Sequence, residues 1–300
     1  MSAWNEKPAV LTCAITGADV FRENNPNIPD TTAEIADSAI GAAGAGATVA
    51  HLHVREDDGT PSGRPELFVD VIDRIRAESE VLTMVSTGGS NDMTIAERTT
   101  GLEAKPDISG VESGSMNFGD ETFITPPPAG RGIAKRAQDA GIALEVEVFD
   151  VGHVVSAVRW LEQGIIESPM TINLVFGVPG GIDASPEALD AMLRPAGGGV
   201  MKVSSPKFID PDSTPEMSGF ASSPVVRSSI VMSFAPPVET IVSIRGAPGI
   251  RTGLEDVAYI SRGVHAPSNA ALVEMAVGLA GTLRREVATQ EQTRELLGLG

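Results

Sequence analysis

The feature that most limits how this chain can fold is a repeated change of pattern: short β-branched runs alternate with longer helical stretches along its 300 residues. Eight runs read as strands, at Val10–Thr16, Thr48–Val54, Val81–Ser86, Ile108–Glu112, Ala143–Val148, Thr171–Phe176, Val225–Ser233 and Gly249–Gly253. Strands separated by helices pair in parallel, and eight of them suggest closure into a (β/α)8 TIM barrel. The return helices carry their own start signals. Thr31 and Glu34 have capping-box spacing ahead of an alanine-rich segment that Gly44 and Gly46 can end. Thr94 with Glu97 and Thr289 with Gln292 repeat that spacing, and Ser185 precedes Pro186. The Gly-, Ser- and Pro-rich stretch from Pro195 to Pro224 shows no periodicity and is expected to be a long excursion within one barrel domain spanning residues 1–300.

Composition narrows the chemistry. The single cysteine, Cys13, excludes an internal disulfide and a thiolate zinc cluster, so metal ligands must come from His and carboxylates. A net charge of -18 with no basic stripe argues against nucleic acid and anionic membranes as partners. An anionic ligand would then need a local cluster of cations or helix N-termini. No apolar run approaches the ~20 residues of a membrane span, and the N-terminus lacks a signal-like pattern, so a soluble cytoplasmic protein is expected.

In such a barrel the reactive groups stand at the C-terminal strand ends. His51 and His53 in AHLHV lie two apart on one strand, so both imidazoles face one side and can converge on a metal. Two hydrogen-bonded core histidines are the alternative, but a chain with four His that places two on one strand face favours the metal. Glu255 in RTGLED is the candidate third ligand, with Asp256 facing the substrate; two acids favoured by a helix dipole would look the same. Arg251 has the planar fork that suits a substrate carboxylate, or it is an exposed arginine in a salt bridge. Glu145 and Glu147 share one face of LEVEVFD, a costly placement inside a barrel unless they are paired, hydrated or near a cation. The pieces STGG and FGVPGG could turn backbone N–H groups toward an anion or simply punctuate turns.

Taken in order, ITGAD, NPNIPDTTAEIA, HLHVREDDG, STGG, GSMNFGDETF, EVEVFD, FGVPGG, RTGLED and SNAALVEMA with VATQEQTRELL strongly resemble the β-keto acid cleavage enzymes over nearly the whole chain. That resemblance implies a zinc-dependent (β/α)8 barrel, usually a homotetramer, that exchanges parts between a β-keto acid and acetyl-CoA to give acetoacetate and a new acyl-CoA. It implies that His51, His53 and Glu255 bind the metal, that Asp256 and Glu147 act in acid/base or polarising roles, that Arg251 and Ser86 hold the keto acid's carboxylate, and that Asp19 lies near its distal end. Two departures stand out. Glu112 occupies a position where the family commonly has Asn, and a Gly-x-Gly-Arg element before RTGLED is missing. Asp19 and Glu112 together favour a cationic substrate tail, as in 3-keto-5-aminohexanoate, the alternative being that Glu112 pairs with a neighbouring base or turns away and that Asp19 caps a turn. Lys202, Lys207, Arg227 and Arg245 are possible contributors of positive charge for CoA. The competing readings are an amidohydrolase-like metal hydrolase, which would call on more histidines than His153 and His265 supply, and a non-catalytic metal-binding barrel.

Overall fold

The computed structural model describes residues 8–167, 170–194, 226–232, 249–261 and 263–299. The excursion read at 195–224 lies outside them, as do Lys202, Lys207 and Arg245. Eight strands form a closed parallel barrel in which each pairs with its sequence neighbour and the last returns to the first. They are β1 (Val10–Ala14), β2 (Val49–Leu52), β3 (Leu82–Val85), β4 (Ile108–Glu112), β5 (Ala143–Val148), β6 (Met170–Phe176), β7 (Val226–Met232) and β8 (Gly249–Thr252). The helices are α1 (Thr32–Ala45), α2 (Pro65–Glu78), α3 (Ile95–Arg98), α4 (Pro127–Asp139), α5 (Val151–Glu162), α6 (Pro186–Leu193), α7 (Asn269–Thr282) and α8 (Gln290–Leu297). The (β/α)8 barrel expected from the alternating pattern is the architecture observed.

Period-two alternation explains the layering. Val10, Val49, Leu82, Met84 and Ile108 pack together, and Leu296, Leu297 and Leu299 at the end of the chain pack against them as a plug. The intervening residues Leu11, Ala50, Leu52 and Ile250 instead join Ile35, Ile72 and Val273 of the surrounding helices. Burying one such aliphatic side chain is worth about 1.5–3 kcal/mol, so a one-residue slip that exchanged the two faces would forfeit several of these contributions at once.

The capping boxes at Thr31, Thr94 and Thr289 are all formed, and Gly46 ends α1 after the helix has run through Gly44. Ser185 caps α6 by accepting from the Ala188 N–H at 3.1 Å. Strand ends differ from expectation at the rim. β1 stops at Ala14, β2 at Leu52 and β8 at Thr252, because the chains diverge where the loops leave the barrel. Val54–Arg55 pairs antiparallel with Pro61–Ser62 instead of continuing the barrel. Two further hairpins, Met116–Phe118 with Glu121–Phe123 and Tyr259–Ser261 with Val264–His265, are too short to show a period in sequence. Among the described residues no helix is long and apolar enough to cross a membrane.

Candidate active site

The C-terminal rim is assembled from strands that lie side by side. β2 carries His51 at its end and His53 just beyond, while β8 carries Arg251 and leads within three residues to Glu255. Gly253 makes that approach possible. Its φ is +146°, and a Cβ there would stand 2.0 Å from the Ala14 carbonyl oxygen, so only glycine lets β8 cross so close to β1. The Glu255 N–H then donates to that same carbonyl at 3.3 Å. Gly17 faces the result: a Cβ on it would lie 2.8 Å from Glu255 Cγ.

Glu255 Oε1 lies 3.6 Å from His51 Nε2 and 3.8 Å from His53 Nε2. These separations are too long for ordinary hydrogen bonds. They are close to the spacing of ligands sharing an ion, because atoms about 2.0–2.2 Å from one tetrahedral cation stand roughly 3.3–3.6 Å apart. Burial, reinforced by Arg251, pushes both imidazoles toward the neutral, ligating form, His53 to about 3. Burial, together with Asp256 and Glu147, raises the Glu255 carboxyl to about 8 against the opposing pull of Arg251. Among the described residues, His51 Nδ1 and Glu255 Oε2 are buried without a hydrogen-bond partner. Leaving a buried polar atom unpaired costs about 1–3 kcal/mol, and a cation among these three residues would offset it for the Glu255 carboxylate. His51, His53 and Glu255 thus form a group that could hold a metal, with their ligand atoms within 4.8 Å of one another.

Arg251 is the hub beside this group. Its Nε and Nη2 grip the two oxygens of Asp256 at 3.0 Å each, Nη2 also reaches Glu255 Oε1 at 2.7 Å, and Nη1 reaches Glu147 Oε1 at 3.2 Å. The side chain is 5% exposed, so the exposed-arginine alternative does not describe it, and the fork reserved for a substrate carboxylate is turned on Asp256. Glu147 receives a second contact on Oε1 from Asn173 Nδ2 at 3.3 Å. The pair of acids on β5 is divided: Glu147 stands at this rim, whereas Glu145 lines a smaller hollow of about 230 Å³ at the other end of the barrel.

A cavity of about 350 Å³ opens over the hub. One side is polar, with Asp19, His53, Ser86, Glu112, Glu147, Arg251, Glu255 and Asp256. The other is apolar, with Phe118, Phe123, Phe149, Val175, Val178 and Pro179. Ser86 Oγ accepts from the Gly88 N–H at 3.0 Å. Asp19 is exposed at the mouth, where partial desolvation, Glu121 and Asp92 raise its carboxyl and Arg55 lowers it. Glu112 lines the cavity but is buried against Arg98, whose Nη2 lies 3.1 Å from its Oε2, the pairing that was the alternative to a free carboxylate. Arg98 also donates to the Thr87 and Ile124 carbonyls and to Thr125 Oγ1, beneath the Phe123 ring at 4.3 Å. Burial and Glu147 push the Glu112 carboxyl up to about 7, opposed by Arg98. Arg98 escaped the sequence reading because nothing in AERTT marks its reach; the apolar wall escaped it because Phe118 and Phe123 sit on a hairpin with no periodic signal. Of the two remaining histidines, His153 is tied to Ser115 and Phe149, and His265 stacks on Tyr259.

A family model described as beta-keto acid cleavage enzyme matches residues 8–205 and 231–299. The chain belongs to that family. The 3-keto-5-aminohexanoate cleavage enzyme of Acetoanaerobium sticklandii is 38% identical over 292 residues, covering 97% of this chain and 98% of that one. The 3-oxoadipate:acetyl-CoA acetyltransferase of Cupriavidus necator is 33% identical over 294 residues, covering 98% and 95%. A ternary complex of ObcA with a C4-CoA adduct and oxalate superposes with a TM-score of 0.70 at 17% identity, covering 91% of this chain and 68% of that one, a likeness of fold alone. In this β-keto acid cleavage enzyme the possible metal group, the arginine hub and the apolar wall all belong to one rim of the barrel.

Proposed function

We propose that this barrel holds zinc at His51, His53 and Glu255 and cleaves a β-keto acid with acetyl-CoA, giving acetoacetate and a new acyl-CoA. The observation that carries the reading is the convergence of two neutral histidines and a partly unpaired glutamate beside the Arg251 hub, in a chain of this family. When bound, the metal supplies a Lewis acid for the oxygens of a β-keto acid, which eases deprotonation of the carbon between its two carbonyl groups. The chain's own groups do the rest. Among the described residues both contacts to Glu147 fall on Oε1, which leaves Oε2 to take or return a proton. Arg251 aligns Asp256 and Glu147 around the reacting carbon and neutralises part of their charge. Ser86, with its oxygen engaged by Gly88, keeps its hydroxyl proton for the substrate's carboxylate. The carbanion attacks the acetyl thioester and expels the CoA thiolate; the thiolate then attacks the original ketone, the adjacent C–C bond breaks, and the acyl group leaves on CoA.

Glu112 is already paired, so selection of the tail falls to Asp19 at the mouth, which favours a cationic group such as the amine of 3-keto-5-aminohexanoate. The family resemblance supports a cytoplasmic homotetramer of single-domain chains, which sedimentation velocity would test. Purified protein with zinc and acetyl-CoA should form acetoacetate, read by mass spectrometry, from amine-tailed acids in preference to 3-oxoadipate. No acetoacetate from any β-keto acid would overturn the activity, and a preference for 3-oxoadipate would overturn the tail reading alone.

A further inference from the structure

The polar edge that bears His51 and His53 continues to Arg55, where no role has yet been assigned. The Arg55 side chain is 0% exposed. Its counter-charge is Asp30, whose Oδ1 lies 3.8 Å from Nε, an ion pair too long for a hydrogen bond. One long ion pair offsets only part of the cost of burying a guanidinium, so its hydrogen bonds carry much of the compensation. Nε donates to Thr16 Oγ1 at 3.3 Å, Nη1 to the Gly59 carbonyl at 2.7 Å, and Nη2 to the Gly17 and Val20 carbonyls at 2.5 Å each. Three of the four acceptors belong to the segment after β1, and the two held by Nη2 bracket Asp19. The Phe21 ring covers the guanidinium at 4.9 Å. That segment has no helix or strand of its own, and Asp19 is exposed, so the backbone conformation and not the packing of its side chain decides where the carboxylate stands.

We propose that Arg55 is a positioning residue that clamps the loop on both sides of Asp19 and thereby sets the cavity's preference for a cationic keto-acid tail. The proposal rests on the reading of Asp19 as the carboxylate that meets the tail. Arg55 acts through the loop and touches neither substrate nor metal. Lysine keeps the positive charge but cannot hold four acceptors around one planar fork.

The test uses the full-length protein loaded with zinc, with calorimetric binding of 3-keto-5-aminohexanoate and of its uncharged counterpart 3-oxohexanoate, both without acetyl-CoA. Arg55→Lys should weaken the amine-tailed acid about tenfold and the uncharged acid less than about twofold, with zinc content unchanged. In an Asp19→Asn background the same substitution should change neither affinity further, because its target is gone. Should Arg55→Lys not fold, the isosteric Thr16→Val, which removes one clamp contact, is expected to show the same selectivity at about two- to threefold. Equal weakening of both acids, or an effect of either substitution that adds in full to Asp19→Asn, would overturn the positioning role. If Asp19→Asn alone leaves the preference for the amine intact, the tail reading itself has failed, and the role of Arg55 falls with it.

Discussion

At the scale of single residues, the site depends on charges that are mutually compensated and hard to exchange. Glu255 contributes one of three possible ligand groups, and its Oε2 has no other buried partner. Glu255→Ala is expected to lose bound zinc while circular dichroism stays unchanged, since a three-ligand site cannot lose one cheaply. Full zinc occupancy in that variant would remove the residue from the ligand set. Arg251 serves three acids at once, so Arg251→Lys should leave Asp256 and Glu147 misaligned. Steady-state kinetics should show kcat reduced at least about tenfold and by more than any rise in KM; a change confined to KM would return the fork to a substrate carboxylate. His51, His53 and Glu255 were legible because strand periodicity and the RTGLED break are local signals. The pairing of Glu112 with Arg98 was not, because it joins residues fourteen apart on two different elements, α3 and β4.

At the scale of elements, the wall of the cavity is held by α5 and the hairpin after β4. His153 on α5 sits between them: its Nδ1 accepts from the Phe149 N–H at 3.4 Å, its Nε2–H donates to the Ser115 carbonyl at 3.2 Å, and its own carbonyl accepts from Ser113 Oγ at 2.9 Å. Burial lowers the imidazole's pKa from its ordinary 6.5, and the Ser115 carbonyl and Asp150 only partly oppose this. A group whose folded pKa is depressed stabilises the fold above its unfolded value and loses that contribution as pH falls below it. Wild-type stability should therefore drop between pH 7.5 and pH 5 by more than that of His153→Leu, read from denaturant midpoints at the two pH values. Parallel pH profiles for the two proteins would show that His153 does not couple folding to pH. The capping boxes of α1, α3 and α8 were visible in sequence because each depends on residues three apart. The two hairpins depend on pairing that begins and ends within two or three residues, which leaves no pattern to read.

At the scale of the whole molecule, the possible metal group links β2 to the segment after β8, elements brought together only when the barrel closes. A ligand bound by the folded chain alone stabilises it in proportion to the logarithm of its free concentration. Zinc at about a hundred times its Kd should add roughly 2.7 kcal/mol, a rise in Tm of several degrees by calorimetry, and a chelator should reverse it. Glu255→Ala should show no such rise, and an equal rise in that variant would place the bound zinc elsewhere.

The succession of parallel strands, the inward face of strands such as β2 and the His-x-His pair follow from the order of residues alone, because each is a matter of spacing along one element. What Arg251 would grip, whether Glu112 would stay free and what Arg55 would hold were decided only when distant strands met. A buried cation takes whichever acceptors the closed barrel leaves within reach, and that choice depends on distances of a few tenths of an ångström that one-dimensional spacing does not contain.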